Sequence, residues 1–209
     1  MPTEVKICGV NTPLAFDTAA EAGADWVGFV FVAASPRAVT PGEAARIAAR
    51  RPGGPGRVGL FVEPTDEDLG GALDAMHLDA VQLYASAERA SAVRQRFGVP
   101  VWLAVGVAEP ADLPSEAPLG VDRLLLDAKP KAGAALPGGN AHPFDWAMLR
   151  GWQAPLPWML AGGLSPAVVA DAVRASNAPG VDVSSGVESA RGVKDPALIR
   201  AFVEAVRRA

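Results

Sequence analysis

The stretch Val5-Lys6-Ile7-Cys8-Gly9 decides the fold, because it opens a pattern that the rest of the chain repeats. A short apolar run ends at a glycine, and a helix-start signal follows within a few residues. Such a run before a helical segment predicts the β-strand of a βα unit. Cys8, the only cysteine in the chain, ends the run, where α/β barrels carry their chemistry. A lone thiol there is a candidate base or nucleophile, although free cysteine also packs well in cores.

Seven further apolar runs follow, separated by Ala-rich segments that bear charges. Eight βα units predict a parallel sheet in the α/β class, and eight strands close naturally into a (β/α)8 TIM barrel. We expect residues 1–209 to form one such domain. A doubly wound open sheet is the structural alternative, weakened because no Gly-x-Gly-x-x-Gly follows the first strand. The eight runs are Val5–Cys8, Trp26–Phe31, Val58–Val62, Ala80–Tyr84, Val101–Val107, Arg123–Asp127, Trp158–Ala161 and Val181–Ser184.

The helix boundaries are marked by capping residues, prolines and glycines. A capping side chain followed by proline predicts a helix start, since proline has no N–H to leave unpaired. Ser86 is a further candidate cap, and Gly23 and Gly98 are candidate stops. The fifth helix is the weakest, because Pro110 and Pro114 interrupt it. The four capping pairs are Thr12-Pro13, Thr40-Pro41, Ser165-Pro166 and Asp195-Pro196.

A short motif ending in aspartate precedes the even-numbered strands. This spacing favours a barrel built from doubled βα units. The Pro- and Gly-rich segments 52–56 and 129–139 are predicted to be loops, not linkers between domains. The four motifs are Gly23-Ala24-Asp25, His77-Leu78-Asp79, Gly120-Val121-Asp122 and Gly180-Val181-Asp182.

Composition excludes several classes of protein. A net charge of −4 and a pI near 5.2 argue against a nucleic-acid partner. One cysteine forms no internal disulfide, which favours a reducing compartment. The densest apolar stretch, residues 27–34, is too short to span a membrane, so we expect a cytoplasmic protein with no membrane partner. His77 and His142 lack metal-ligand spacing, and no metal site is predicted.

Polar side chains at the predicted strand ends form a candidate site. Cys8 and Asp127 end strands one and six, which face each other across an eight-stranded ring, and make a plausible base and acid. Lys6 shares the inward face of Cys8, and a buried ammonium needs a partner such as Asp182 on strand eight. That ammonium would favour the Cys8 thiolate.

A second group of residues predicts an anion site. Glycines that allow close backbone approach, followed by hydroxyl donors, form a candidate phosphate cradle at the ends of strands seven and eight. Arg37, in the loop after strand two, is a candidate clamp for a carboxylate or phosphate. The cradle residues are Gly162, Gly163, Ser184, Ser185 and Gly186.

The ordered set of motifs along essentially the whole chain resembles the phosphoribosylanthranilate isomerase family, whose fold is a (β/α)8 barrel. The segments that carry the resemblance are Val5–Gly9, Gly28–Phe31 with Ser35–Arg37, Val81–Leu83, Leu124–Asp127, Pro137–Asn140 with Phe144–Trp146, Leu160–Leu164 and Val181–Glu188.

The resemblance implies an Amadori rearrangement of N-(5′-phosphoribosyl)anthranilate to 1-(2-carboxyphenylamino)-1-deoxyribulose 5-phosphate, in tryptophan biosynthesis and without a cofactor. It implies that Asp127 is the general acid and Cys8 the general base, and that the strand seven and eight loops bind phosphate. Arg37 matches the arginine that binds the anthranilate carboxylate, and with it we expect Gln82, Tyr84 and Asp182 to bind substrate. An acid that works near neutral pH requires a raised pKa at Asp127, which an apolar surrounding provides. The resemblance implies that the protein is a monomer or a homodimer.

The chain departs from the family pattern at two places. Tyr84-Ala85 replaces the usual His-Gly, and Gly139-Asn140-Ala141 replaces a Gly-Thr-Gly. Tyrosine is bulkier than histidine and does not titrate near neutrality. The departure at Tyr84 favours one alternative, a non-catalytic or altered-substrate phosphosugar-binding paralogue.

Two other barrel enzymes are alternatives. One is aminoimidazole carboxamide ribotide isomerase. Membership of that family would imply a catalytic pair of two carboxylates, and Cys8 at the end of strand one argues against it. The other is a Schiff-base aldolase that uses Lys129.

Overall fold

Eight parallel strands form a closed barrel in the computed structural model, which describes residues 2–129 and 144–209. Each strand pairs with the next along the chain, and β8 pairs with β1. The barrel prediction is therefore confirmed, and the open-sheet alternative is excluded. The strands are β1 Glu4–Cys8, β2 Trp26–Val30, β3 Gly56–Val62, β4 Ala80–Tyr84, β5 Val101–Val107, β6 Arg123–Ala128, β7 Trp158–Leu160 and β8 Gly180–Val183; β9 Glu188–Ala190 and β10 Val193–Lys194 form a hairpin outside the barrel.

Most predicted helix starts are confirmed by the capping geometry. The side chains of Thr12, Thr40, Ser86 and Asp195 each accept a backbone N–H of the first turn, which satisfies donors that the helix leaves free. Gly23 and Gly98 end their helices in the left-handed conformation, as predicted. The helices are α1 Pro13–Ala22, α2 Pro41–Ala48, α3 Asp66–Ala75, α4 Ala87–Phe97, α5 Val169–Ser176 and α6 Pro196–Arg207.

Two helix predictions need correction. The α-helix after β7 begins at Val169 and not at Ser165-Pro166, because Val168 has a φ of −121°, outside the helical range. Between β5 and β6 the prolines leave only a 3₁₀ turn, Pro110–Asp112. The predicted loop over 129–139 extends beyond the described residues, and the segments 137–140 and 139–141 and His142 lie outside them.

The aspartate motif has a structural role at the bottom of the barrel. Three of its aspartates precede an even strand and accept the N–H that begins the odd strand before it. The fourth motif is an exception, because β8 already begins at Gly180 and Asp182 lies inside the strand. The carboxylates of Asp25, Asp79 and Asp122 accept bonds of 2.8, 2.7 and 2.8 Å from the amides of Val5, Arg57 and Val101.

The barrel interior is filled in layers that close its bottom. Near the strand N-termini, the Arg123 guanidinium lies 4.6 Å from the Trp102 ring centre and 5.6 Å from that of Trp26. Its charge is paired with Glu4, which also accepts the indole N–H of Trp26. Apolar side chains, among them Leu125, fill the layer above. In the described part of the chain these side chains fill the end of the barrel where the strands begin, so a ligand is expected at the end where they finish.

Candidate active site

A buried ion pair lies beneath the predicted base. The Lys6 ammonium is fully buried and lies 2.8 Å from Asp182 Oδ1, across the β1–β8 pairing. The predicted pairing of Lys6 with Asp182 is thus confirmed. Burial alone lowers the pKa of Lys6, but the charges of Asp182 and Cys8 outweigh it and raise that pKa above its ordinary value. Lys6 is therefore a fixed cation.

Cys8 lies one layer above this pair with 4% of its surface exposed. Burial raises the pKa of the Cys8 thiol, the nearby Asp182 carboxylate raises it further, and the Lys6 and Lys194 ammonium groups oppose that rise. The expected effect of Lys6 is present, but it does not outweigh desolvation. Gly28 on β2 makes room for the thiol, because a Cβ there would lie 2.9 Å from Cys8 Sγ and 3.3 Å from Lys6 Nζ.

Asp127 ends β6 in a pocket that keeps it from water. Its Oδ2 accepts the Tyr84 hydroxyl at 2.9 Å, and its Oδ1 accepts the N–H of Ala128 at 2.8 Å. Burial raises the pKa of Asp127 to about 6, although both hydrogen bonds and the Lys6 charge lower it. The expected rise is confirmed, and desolvation causes it.

Tyr84 connects the two halves of the site. Its phenol lies close enough to Asp127, Cys8 and Asp182 for all three charges to raise its pKa, which burial already places well above the ordinary value. Tyr84 also packs with Val30, Leu60 and Val32 beside Cys8. The β1–β4 side of the mouth is thus an apolar wall with a phenol at its edge.

The predicted clamp Arg37 is buried and already holds a carboxylate. Its Nε and Nη2 donate to the two oxygens of Glu188 at 2.6 and 3.0 Å. Glu188 also accepts Lys194 Nζ at 2.8 Å and the Gly192 N–H at 3.0 Å. These donors keep the pKa of Glu188 at about 2 despite the burial that raises it. Nη1 of Arg37 has no hydrogen-bond partner among the described residues, so one edge of the guanidinium is available to a ligand.

Glu188 and Lys194 are site residues that sequence reasoning missed. Lys194 is buried and also donates to the carbonyl and hydroxyl oxygens of Ser184, at 2.9 and 3.2 Å. Desolvation lowers the pKa of Lys194, and the Glu188 charge opposes that change. Glu188 belongs to the motif 181–188, which was the one available signal. Nothing local distinguishes Lys194 from a surface lysine.

The predicted phosphate loops pack against each other. Gly162 and Gly163 adopt φ of 83° and 70°, which glycine tolerates best. A Cβ at Gly186 would collide with the Leu164 carbonyl oxygen, so the two loops touch at this point. Within residues 2–129 and 144–209, the backbone amides of Gly162, Gly163, Ser185 and Gly186 donate to no partner. These free donors at adjacent strand ends suit an anion.

The other predicted ligand-binding residues have different surroundings. Gln82 is fully buried, and neither polar atom of its amide has a partner in the described part of the chain. Its role in substrate binding stays a prediction. His77 lies at the opposite end of the barrel, with Nε2 3.2 Å from Asp79. The described residues contain no cluster of three or more His, Cys, Asp or Glu arranged for a metal ion.

Lys129 does not have the surroundings of a Schiff-base lysine. Its Nζ lies 2.8 Å from Asp112 Oδ1 on the exposed β5–β6 side, and this contact raises the pKa of Lys129. A lysine nucleophile needs the opposite shift. This geometry disfavours the aldolase alternative.

Comparison with known proteins shows which family this chain is similar to. The model of the family described as N-(5′-phosphoribosyl)anthranilate (PRA) isomerase matches residues 5–205. An N-(5′-phosphoribosyl)anthranilate isomerase of Paramagnetospirillum magneticum is 54% identical over 99% of this chain and 98% of its own length.

Solved structures of the same name share the fold. Monomers generated from the dimeric Thermotoga maritima enzyme align with a TM-score of 0.80 at 32% identity, covering 99% of this chain and 100% of that one. A phosphoribosylanthranilate isomerase in complex with reduced 1-(o-carboxyphenylamino)-1-deoxyribulose 5-phosphate aligns with a TM-score of 0.83 at 31% identity and the same coverage. Among the helices of the described residues, none is long and apolar enough to cross a membrane.

Proposed function

The chain belongs to the N-(5′-phosphoribosyl)anthranilate isomerase family of tryptophan biosynthesis, and on that premise we propose that Asp127 and Cys8 carry its reaction as acid and base. The reaction is the Amadori rearrangement of N-(5′-phosphoribosyl)anthranilate to 1-(2-carboxyphenylamino)-1-deoxyribulose 5-phosphate. One observation supports this assignment above all. Two buried titratable groups lie at the ends of β1 and β6, on opposite sides of the end of the barrel where the strands finish.

The chemistry needs one proton delivered and one removed. Asp127 protonates the furanose ring oxygen, the bond from that oxygen to C1′ breaks, and C1′ becomes an iminium carbon. The Cys8 thiolate then takes the C2′ proton, which leaves an enolamine and a neutral thiol. The enolamine tautomerises to the ketone. The rearrangement is an internal oxidation and reduction, so it consumes no external oxidant or reductant.

The two groups share their protons. Since burial raises the pKa of Asp127 to about 6 and that of Cys8 above its ordinary value, the pair holds one proton over the neutral range. In the productive substrate complex that proton lies on Asp127, and Cys8 is the thiolate. We expect kcat/KM to rise with pH through about 6 and to stay level until the thiol ionises.

The orientation of the substrate follows from the two sides of the mouth. The apolar wall with Arg37 at its edge suits an aromatic ring that bears a carboxylate, and Nη1 is the free donor. The free amides of the β7 and β8 loops suit the 5-phosphate. The sugar then lies between Cys8 and Asp127.

We extend the proposal to the setting of the enzyme. Residues 1–209 form one domain, since strands from the two ends of the chain pair with each other. The protein acts in the cytoplasm, as its single free cysteine suggests, and is a monomer or a homodimer.

Turnover of freshly prepared substrate, followed by the loss of anthranilate fluorescence, tests the assignment. We expect activity in the native chain and losses of about 100-fold or more in Cys8→Ala and in Asp127→Asn. Retained activity in either variant would remove that residue from its role. Binding of the product without turnover in the native chain would support the non-catalytic paralogue instead.

A further inference from the structure

Tyr84 touches the general acid at a position where the family pattern has histidine. It is the last residue of β4, and its hydroxyl is 2.9 Å from Asp127 Oδ2. No other side chain among the described residues forms a hydrogen bond with this carboxylate. The residue that departs from the pattern is therefore the one that contacts the acid.

The two oxygens of Asp127 have different surroundings. Oδ1 accepts the Ala128 N–H and is crowded by the β7 loop, since a Cβ at Gly162 would lie 3.0 Å from it. Oδ2 faces the phenol of Tyr84, which reaches it from β4 across the interior of the barrel. Oδ2 is therefore the oxygen on the side of the barrel interior, and Oδ1 is the oxygen on the side of the β7 loop.

We propose that Tyr84 is a positioning residue, which fixes Asp127 Oδ2 as the proton-delivering atom and stabilises that oxygen as its proton leaves. This inference rests on the proposed acid role of Asp127. As the proton passes from Oδ2 to the furanose oxygen, the neutral carboxyl becomes a carboxylate. The Tyr84 O–H then donates to a charged acceptor, and hydrogen bonds of that kind are roughly twice as strong as neutral ones. Starting from the productive complex, in which Asp127 carries the proton, the contact is stronger after proton delivery than before it, which lowers the barrier of that step.

Tyrosine at this position differs from histidine in one further way. Burial and three neighbouring charges raise the pKa of Tyr84 well above its ordinary value, so the phenol keeps its proton and remains a donor across the neutral range. An imidazole would change its charge within that range. We therefore expect that Tyr84 does not titrate in the neutral range of the pH–rate profile.

The kinetic test compares Tyr84→Phe with the native chain. Removing one donor to a developing carboxylate should lower kcat about 10- to 100-fold while KM changes by no more than about threefold. Because the lost bond favours the ionised carboxylate, the limb of the pH profile near 6 should move to higher pH. In Asp127→Asn the same substitution should add no further loss, since the acceptor charge is already gone. Tyr84→His serves as the variant that restores a donor, and it should recover part of the lost kcat.

A spectroscopic test does not depend on activity. Tyr84 is the only tyrosine, so tyrosinate absorbance reports on this residue alone. The native chain should show little tyrosinate at pH 10, where an ordinary tyrosine is half ionised. Asp127→Asn removes a negative neighbour and should shift the titration to lower pH.

The outcomes separate this inference from the acid assignment itself. If Asp127→Asn retains full activity, the proposed function fails and this inference fails with it. If Asp127→Asn is inactive while Tyr84→Phe keeps the native kcat and pH profile, only the role of Tyr84 is overturned. A phenol that titrates near pH 10 in both chains would also overturn it.

Discussion

Arg37 and Glu188 are 151 residues apart in sequence and form a buried two-point ion pair, with Nε to Oε1 at 2.6 Å and Nη2 to Oε2 at 3.0 Å. Bidentate geometry of this kind fixes the plane of the guanidinium as well as its position. Nε and Nη2 of Arg37 donate to Glu188, and because these two bonds fix the guanidinium plane, they also fix the direction of Nη1. The carboxylate on the β8 side therefore sets the direction in which the β2 loop presents its charge.

Glu188→Gln should weaken recognition of the carboxylate end of the substrate. Without the second charged oxygen, the Arg37 plane is no longer fixed, and KM should rise about 10-fold or more with a smaller change in kcat. Titration with inorganic phosphate, which probes only the β7 and β8 loops, supplies the matched comparison. If phosphate and the product lost binding affinity equally, the Arg37–Glu188 pair would support the whole site and not the carboxylate clamp at Arg37 alone.

Gly28→Ala should disturb the base and its ammonium together. The added methyl group would lie 2.9 Å from Cys8 Sγ and 3.3 Å from Lys6 Nζ, so the thiol must shift. We expect kcat to fall about 10-fold or more and stability to fall by about 1–3 kcal/mol, as overpacking does. Gly71→Ala, in an exposed turn of α3 with open space around it, is the control and should leave kcat unchanged. A native kcat in Gly28→Ala would show that the position of Cys8 tolerates displacement.

Asp127→Asn should make the protein more stable at neutral pH while it abolishes turnover. The pKa of Asp127 is about 6 in the folded chain against 3.8 for an ordinary aspartate, so its favourable contribution is complete below about pH 3.8 and is lost as pH rises through 6. Relative to the native chain, the variant should gain up to about 3 kcal/mol between pH 3.5 and pH 7.5. Urea unfolding of both chains at the two pH values measures the gain, and a difference that does not change with pH would contradict the raised pKa.

Asp79→Ala should reduce stability without touching catalysis. Its carboxylate accepts the Arg57 N–H at 2.7 Å at the start of β3, and alanine would leave that amide to solvent. Since the side chain is one-third exposed, we expect a loss of about 1 kcal/mol in unfolding free energy and a native kcat. Asp171→Ala is the control, because that exposed carboxylate contacts only Arg174 on its own helix. A change in kcat in Asp79→Ala would mean that the bottom of the barrel is coupled to the site.

The fold could be predicted largely from the sequence because its strands are short apolar runs, separated by segments that carry charges, capping residues, glycine or proline. The predicted runs and the observed strands agree to within a few residues at every end. The exceptions have local causes: prolines replace the fifth helix with a 3₁₀ turn, and the non-helical φ of Val168 delays α5. β8 begins one residue earlier than predicted, at Gly180, and Asp182 lies inside it as the predicted partner of Lys6.

The candidate site was less accessible to sequence reasoning where it depends on long-range contacts. Cys8 and Asp127 were predictable from their positions at strand ends. The partner of Arg37 was not, since nothing near either residue indicates a contact over 151 positions. The hydrogen bond from Tyr84 to Asp127 could not be predicted for the same reason. In the sequence, Tyr84 was noticed only because it replaces the usual histidine of the family. The burial that determines the titration of Asp127 is likewise a property of the closed barrel.

The aspartates that begin the odd strands bear on the order in which the barrel forms. Their hydrogen bonds close loops of only 20, 22 and 21 residues, whereas the Lys6–Asp182 contact closes one of 176. Loop closure over the longer span carries an entropic penalty about 2 kcal/mol greater. We therefore expect pairs of adjacent strands to associate early in folding and the seam between the first strand and the last to close late. The Lys6 cation beneath the proposed base, Cys8, pairs with Asp182 across that seam, so we expect this ion pair to form only when the last strand docks.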